Sequence, residues 1–251
     1  MPHTHDILPG RRYAVVSCHV ERPLDDEVWE RFSKLQETRP GGFRIAALMR
    51  PPDRAAGERE ERWLERARDA ATRGPVGLHT HWTAIDHARP TRGEPARLVR
   101  DQIEWLHARR VDVPLFCGGG WYIDEAVLTA LAEHGFADCT ATAFQPAYLA
   151  PDAARLHAEE PTYIELATGR RVLELPTTHS IGMLVRAVPA PLRHPLVHVY
   201  FHDTDLLDAK RRAALRLGLA VLGRRRRATD LGELQRRFVA TKTMSFASSR
   251  G

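Results

Sequence analysis

Val76-Gly77-Leu78-His79-Thr80-His81-Trp82 is the stretch that decides how this chain is read. A short apolar run ends in two histidines spaced two apart and is followed by an aromatic residue. Residues two apart on a strand point to the same side, so both imidazoles face one point as the strand ends. That makes the pair a candidate metal site; a core histidine beside a loop donor is the alternative the motif alone leaves open. In parallel α/β architectures, reactive groups gather just beyond the carboxyl ends of strands, which is where these two histidines fall.

Outward from this run, short apolar segments alternate with amphipathic helical patterns almost from end to end. Strands are predicted at Tyr13 to Cys18, Phe43 to Met49, Val76 to Thr80, Val113 to Cys117, Ala137 to Thr142, Arg171 to Leu175 and Leu196 to Phe201. Helices are predicted at Leu24 to Glu37, Glu58 to Thr72, Glu94 to Arg110, Ile123 to His134 and Leu206 to Leu222, with a last one capped by Thr229-Asp230. The alternation predicts an α/β fold, a barrel of about seven parallel strands in a single domain; an open doubly wound sheet is the alternative. Residues 1–12 are expected to be a tail and 13–251 the domain. An irregular insertion at 143–170 carries Pro146, Pro151 and Pro161.

Composition narrows the function classes. The chain has 251 residues, 43% hydrophobic and 27% charged, as an ordinary globular protein does. No cationic-then-apolar leader and no membrane-length apolar run is visible, so no membrane span and a cytoplasmic location are expected. Cys18, Cys117 and Cys139 are too scattered for a disulfide framework and read as buried thiols. The net charge is +5. Its one dense run, Arg224 to Arg227, follows Gly223 at a helix end, where cations complement terminal carbonyls. No reading motif joins that run, so no nucleic-acid partner is expected.

Four predicted strand ends carry polar or backbone-exposing groups. The first ends in Cys18-His19-Val20-Glu21, the third in His79-Thr80-His81, the fourth in Cys117-Gly118-Gly119-Gly120 and a late one in Tyr200-Phe201-His202-Asp203. His19 and Glu21 are again two apart, and Glu21 offers the carboxylate of a His-His-carboxylate zinc site with an open position for water. An imidazole held by a carboxylate, as His202 by Asp203, is one way a general acid is fixed. Gly119 and Gly120 let the backbone approach a ligand, while Trp82, Trp121 and Tyr122 are candidate substrate-stacking surfaces.

In order and spacing, these segments resemble the polysaccharide deacetylase family, the NodB-homology or carbohydrate esterase family 4 group, over roughly Tyr13 to Leu234. That resemblance implies a distorted (β/α) barrel with seven strands. It implies that His19 lies at the catalytic-base position, that Glu21 and His79 are metal ligands, and that His202 is the general acid. The family's second histidine usually stands four residues on, where this chain has Thr83, so His81 is the replacement ligand. Leu173-Glu174-Leu175-Pro176 resembles the family's penultimate strand. Two positions depart from the family: His19 replaces a catalytic aspartate, and Cys117 stands where an arginine steadies that aspartate. The changes read as coupled, since loss of the carboxylate removes the reason for a cationic partner.

The expected function is metal-dependent hydrolysis of a C–N bond, as in deacetylation of an N-acetylated sugar-containing or small cytoplasmic metabolite. Zinc is the first choice of divalent ion. The alternative is a catalytically inactive member of the fold that binds a glycan or a partner protein.

Overall fold

A computed structural model of the chain describes residues 12–83, 88–150, 152–187, 192–240 and 242–246. The expected tail at 1–12 lies outside the described residues apart from Arg12. The first strand, β1 (Tyr13–Val20), is buried along its whole length. Its alternate residues Ala14, Val16, Cys18 and Val20 pack with helical residues such as Phe32 and Leu35. Tyr13 and Val15 instead join Ala46, Leu48, Leu115 and Cys117 in a second core enclosed by strands. A strand buried on both faces, with period-2 division between two cores, is what the wall of a parallel barrel requires.

The chain continues through α1 (Asp26–Thr38), β2 (Ala46–Met49), α2 (Glu60–Arg73), β3 (Val76–Thr80), α3 (Pro95–Ala108), β4 (Leu115–Gly118), α4 (Glu125–Glu133) and β5 (Ala137–Asp138). There follow β6 (Thr162–Glu165), β7 (Arg171–Glu174), β8 (His179–Ser180), α5 (Ile181–Ala187), β9 (Leu196–His202), α6 (Ala209–Arg225), β10 (Arg227–Ala228), α7 (Leu231–Arg237) and β11 (Thr243–Ser245). Helix α1 shows why the elements form where they do. Asp25 accepts a hydrogen bond from Val28 N, Asp26 and Glu27 sit in the first turn, and Val28, Trp29, Phe32 and Leu35 make the buried stripe. Arg39, in the left-handed region at φ 44° and followed by Pro40, ends it.

The strands form one sheet in the order β11-β6-β7-β5-β4-β3-β2-β1-β9-β8, with β10 beside β1. Only β6 and β7 pair antiparallel among these strands. The run 171–180 serves both sides of the ring: as β7 it pairs β5, and beyond Pro176, as β8, it pairs β9. Leu175 N donates to Asp138 O at 2.8 Å and Thr178 N to His198 O at 3.0 Å. Seven segments therefore circle the inner core, joined at one place through the chain rather than through a continuous ladder. This is the distorted barrel with helices on its outer face.

Some elements differ from the sequence reading. Strands β6, β8, β10 and β11 have two to four residues, too short for alternation to register. Of these, β6 lies inside the stretch 143–170. Helix α6 starts after Asp208, whose carboxylate accepts from Lys210 N and Arg211 N, and the residues from Asp203 to Leu207 form a 3-10 turn instead. In the arginine run, Arg226 is buried, and its guanidinium donates to the carbonyls of Leu192, His194 and Pro195. That residue braces the entry to β9. No helix of the described residues is long and apolar enough to cross a membrane.

Candidate metal and catalytic site

Parallel register brings the polar strand ends together. His19 on β1 stands opposite His202 on β9, and His79 on β3 opposite Cys117 on β4. Glu21 follows β1 by one residue and His81 follows β3 by one, so the side chains of His19, Glu21, His79, His81 and His202 meet at one mouth of the barrel, with Cys117 buried beneath. A cavity of about 400 Å³ opens there, with His19, Glu21, His79, His81, Trp121 and His202 in its lining.

Glu21 is the hub. Its Oε1 lies 3.2 Å from His79 Nε2 and 3.8 Å from His202 Nε2, and its Oε2 lies 2.8 Å from His81 Nε2. One ligand atom from each of Glu21, His79 and His81 falls within 4.8 Å of the others. His79 Nδ1 lies 3.0 Å from the Cys117 carbonyl, which can only accept, so Nδ1 carries a proton. A neutral His79 then turns the lone pair of Nε2 towards a carboxylate. Two electron-pair donors at that distance call for a cation, either a proton on the ring or a metal ion. Two imidazoles and one carboxylate are a donor set of the kind zinc takes. Burial would push the Glu21 carboxyl up, but the charge and hydrogen bond of His79, with those of His81, hold it well below the usual range.

His19 sits deeper, with its ring 4.4 Å from that of His79 and 5.1 Å from that of Tyr200, centroid to centroid. Burial, and then the neighbouring His79 and His202, push its imidazole well below the ordinary value, so it is neutral near pH 7. His202 is also lowered, by burial against the upward pull of Glu21. Tyr200 is pushed up to about 12 by burial, which leaves its phenol a neutral donor.

Asp203 has different partners from those expected. Its carboxylate accepts from Arg22 N and Thr204 N, both at 2.8 Å, and so it fixes the chain leaving β1 rather than the ring of His202. The residue tied to His202 is Asp205, which accepts from His202 N at 3.0 Å in a capping box. Burial pushes Asp203 up to about 6, against the hydrogen bonds from the Arg22 and Glu21 backbone.

The glycine run forms a 3-10 turn, Gly119–Trp121, at the cavity wall. Gly120 has φ 60°, and a Cβ on Gly118 would stand 2.1 Å from Tyr122 O, so this backbone path requires glycine at both positions. Trp121 faces the cavity, its ring 5.5 Å from that of His19. Trp82 does not line this cavity; it is buried and donates Nε1–H to Gly119 O at 3.1 Å, supporting the turn from behind. Tyr122 likewise turns away, donating to Asp124 at 2.7 Å. Tyr200, two before His202 on one strand, belongs to the late strand end that the sequence marks. Four lining residues had no mark in the sequence reading: Ala88, Arg89, Tyr148 and Leu149. They come from loops, which carry no periodic signal.

No protein-family model matches the chain, and no curated protein matches it in sequence. Among solved structures, it is similar to a Mycobacterium smegmatis protein provisionally assigned as a polysaccharide deacetylase, with a TM-score of 0.63 and 13% identity over 94% of this chain and 93% of the other. It is similar to a 4-alpha-glucanotransferase from Thermococcus litoralis with a TM-score of 0.62 and 14% identity, over 94% of this chain. The chain spans 42% of the length of that glucanotransferase. At these identities the likeness is one of fold, a barrel shared with both proteins.

Proposed function

We propose that this protein is a divalent-metal-dependent hydrolase of a C–N bond, removing the acetyl group from an N-acetylated sugar or a small sugar-containing metabolite. The observation that carries the reading is the placement of His79 Nε2 and His81 Nε2 on the two oxygens of one carboxylate, Glu21, at 3.2 and 2.8 Å. The deacetylase-type fold supports the substrate class.

Glu21, His79 and His81 would hold the ion, which when bound polarises a carbonyl and acidifies water. His19 is neutral and so is able to accept a proton, the role that an aspartate fills in the family it resembles. His202, at the mouth with about 40% of its side chain exposed, would deliver a proton to the departing nitrogen once its ring has taken one up. Backbone N–H groups of the 3-10 turn, Gly119 and Gly120 included, are the proposed donors to the developing oxyanion. Trp121 and Tyr200 form the apolar wall against which a sugar ring would rest.

Acetate release tests this reading. Zinc-loaded protein is expected to release acetate from at least one member of a panel of N-acetylhexosamines, their oligomers and nucleotide-linked forms, with loss of release in a chelator and in Glu21→Gln. Fully metal-loaded protein that releases no acetate from any of them, yet binds a glycan, would instead support a binding protein built on the same barrel.

A further inference from the structure

Directly beneath the Glu21 hub lies a second group of donors. His19, His79 and Cys117 each bring one ligand atom within 4.8 Å of the others, and all three residues are buried. Cys117 Sγ is 3.6 Å from His19 Nε2. The cluster is a product of the fold: His79 and Cys117 are register partners across β3 and β4, and His19 on β1 turns inward over both.

The two clusters share His79 and differ in everything else. The upper one contains a carboxylate and lies partly open; the lower one has sulfur and nitrogen donors and no oxygen. Ligand softness separates such sites, since thiolate and imidazole favour thiophilic ions whereas carboxylates favour harder ones. Cys18 and Cys139, the other two free cysteines, are in neither cluster.

We propose that His19, His79 and Cys117 form a second, alternative site for a single thiophilic metal ion of the Cd²⁺, Hg²⁺ or Cu⁺ class. On binding, the Cys117 thiol loses its proton to solvent and a metal–sulfur bond forms, with no change of oxidation state. Because His79 can serve one ion at a time, a thiophilic ion here displaces an ion held by Glu21, His79 and His81 rather than joining it. It also occupies His19. The inference goes beyond the hydrolase reading and stands whether or not the protein cleaves an amide.

Cadmium is the probe. Full-length metal-free protein titrated with Cd²⁺ is expected to develop a thiolate-to-metal charge-transfer band in the ultraviolet that saturates at a single equivalent. The band is lost in Cys117→Ser and in Cys117→Ala, and in His19→Gln the cadmium affinity falls by about tenfold or more. It persists in Cys18→Ser, Cys139→Ser and Glu21→Gln. Circular dichroism of each metal-free variant confirms that the fold is kept. Absence of the band in the wild type, its survival in Cys117→Ser, or its loss in Glu21→Gln would overturn the proposal. Failure of the hydrolase reading is distinguishable, because that reading rests on zinc held by Cys117→Ser and not by Glu21→Gln.

Discussion

Two buried acidic regions of the same barrel behave in opposite ways. At one, Glu21 faces the imidazoles of His79 and His81, and its carboxyl is held well below the ordinary range. At the other, Asp138 on β5 and Glu174 on β7 stand in register opposite one another, both fully buried. Burial pushes both carboxyls up, and the charge of Asp138 pushes Glu174 further. Asp138 Oδ1 accepts from Thr140, and Glu174 Oε1 accepts from Ala141 N at 3.1 Å. Their other oxygens have no hydrogen-bond donor among the described residues, and a proton on one carboxyl would supply one. Carboxylates set against nitrogen lone pairs call for a cation, whereas a carboxylate set against a second carboxyl keeps a proton. The first arrangement is the proposed metal site. The second is a brace: the Thr140 hydroxyl that donates to Asp138 accepts from Gly118 N at 2.7 Å and so steadies the start of the 3-10 turn.

The contrast breaks if one mutation disturbs both regions. Glu21→Gln is expected to have the largest effect: zinc affinity falls by more than the roughly 100-fold that a lost outer partner costs, and hydrolysis is lost with it. The urea stability of the metal-free protein falls modestly at neutral pH, since the contacts with His79 and His81 that hold the Glu21 carboxyl down stabilise its ionised form. Loss of stability with retention of zinc would reverse the assignment of the two regions. Next, His202→Gln should lower kcat by about 10²- to 10⁴-fold with little change in KM and full retention of zinc, as measured by steady-state kinetics and metal analysis.

Glu174→Ala is a smaller effect on a different quantity. It leaves Ala141 N without its acceptor and Asp138 without its shared proton, at a cost of about 1–3 kcal/mol in urea unfolding. Zinc stoichiometry is expected to be unchanged. The smallest effect sharpens the comparison through pH. An acid with a raised folded value adds stability that is complete below its ordinary value, near 4.3 for glutamate, and is lost as pH rises through the folded value. Metal-free wild type should therefore lose stability over that window, and Glu174→Gln should lose less, when both are unfolded in urea at stepped pH. Equal slopes would mean that the pair holds no proton.

Much of this was legible in the sequence, for reasons particular to each element. Strands β1, β3 and β9 are long enough for alternation to show which residues share a face, so His19 with Glu21, His79 with His81, and the end of β9 were all readable. The carboxyl pair was not, although Asp138 and Glu174 both fell in predicted strands. Pairing between strands that are distant in sequence fixes their contact, and no local pattern encodes that register. The approach of Cys117 to His19 was implied only by the resemblance, which sets Cys117 where an arginine steadies the residue at the His19 position; no local pattern shows it. Asp203 and Asp205 were separable only by backbone geometry, because both are acidic residues within one turn after His202. Trp82 follows the histidine pair directly, but the chain's exit from β3 turns it towards the core behind Gly119.

Metal content decides most directly whether Glu21, His79 and His81 act together as a site. Plasma mass spectrometry on purified wild type, beside Glu21→Ala and His79→Ala, should find about one equivalent of zinc or a similar ion in the wild type and loss of it in both variants. A wild type that stays metal-free after incubation with excess zinc, cobalt and nickel would contradict the metal site and the hydrolase built on it.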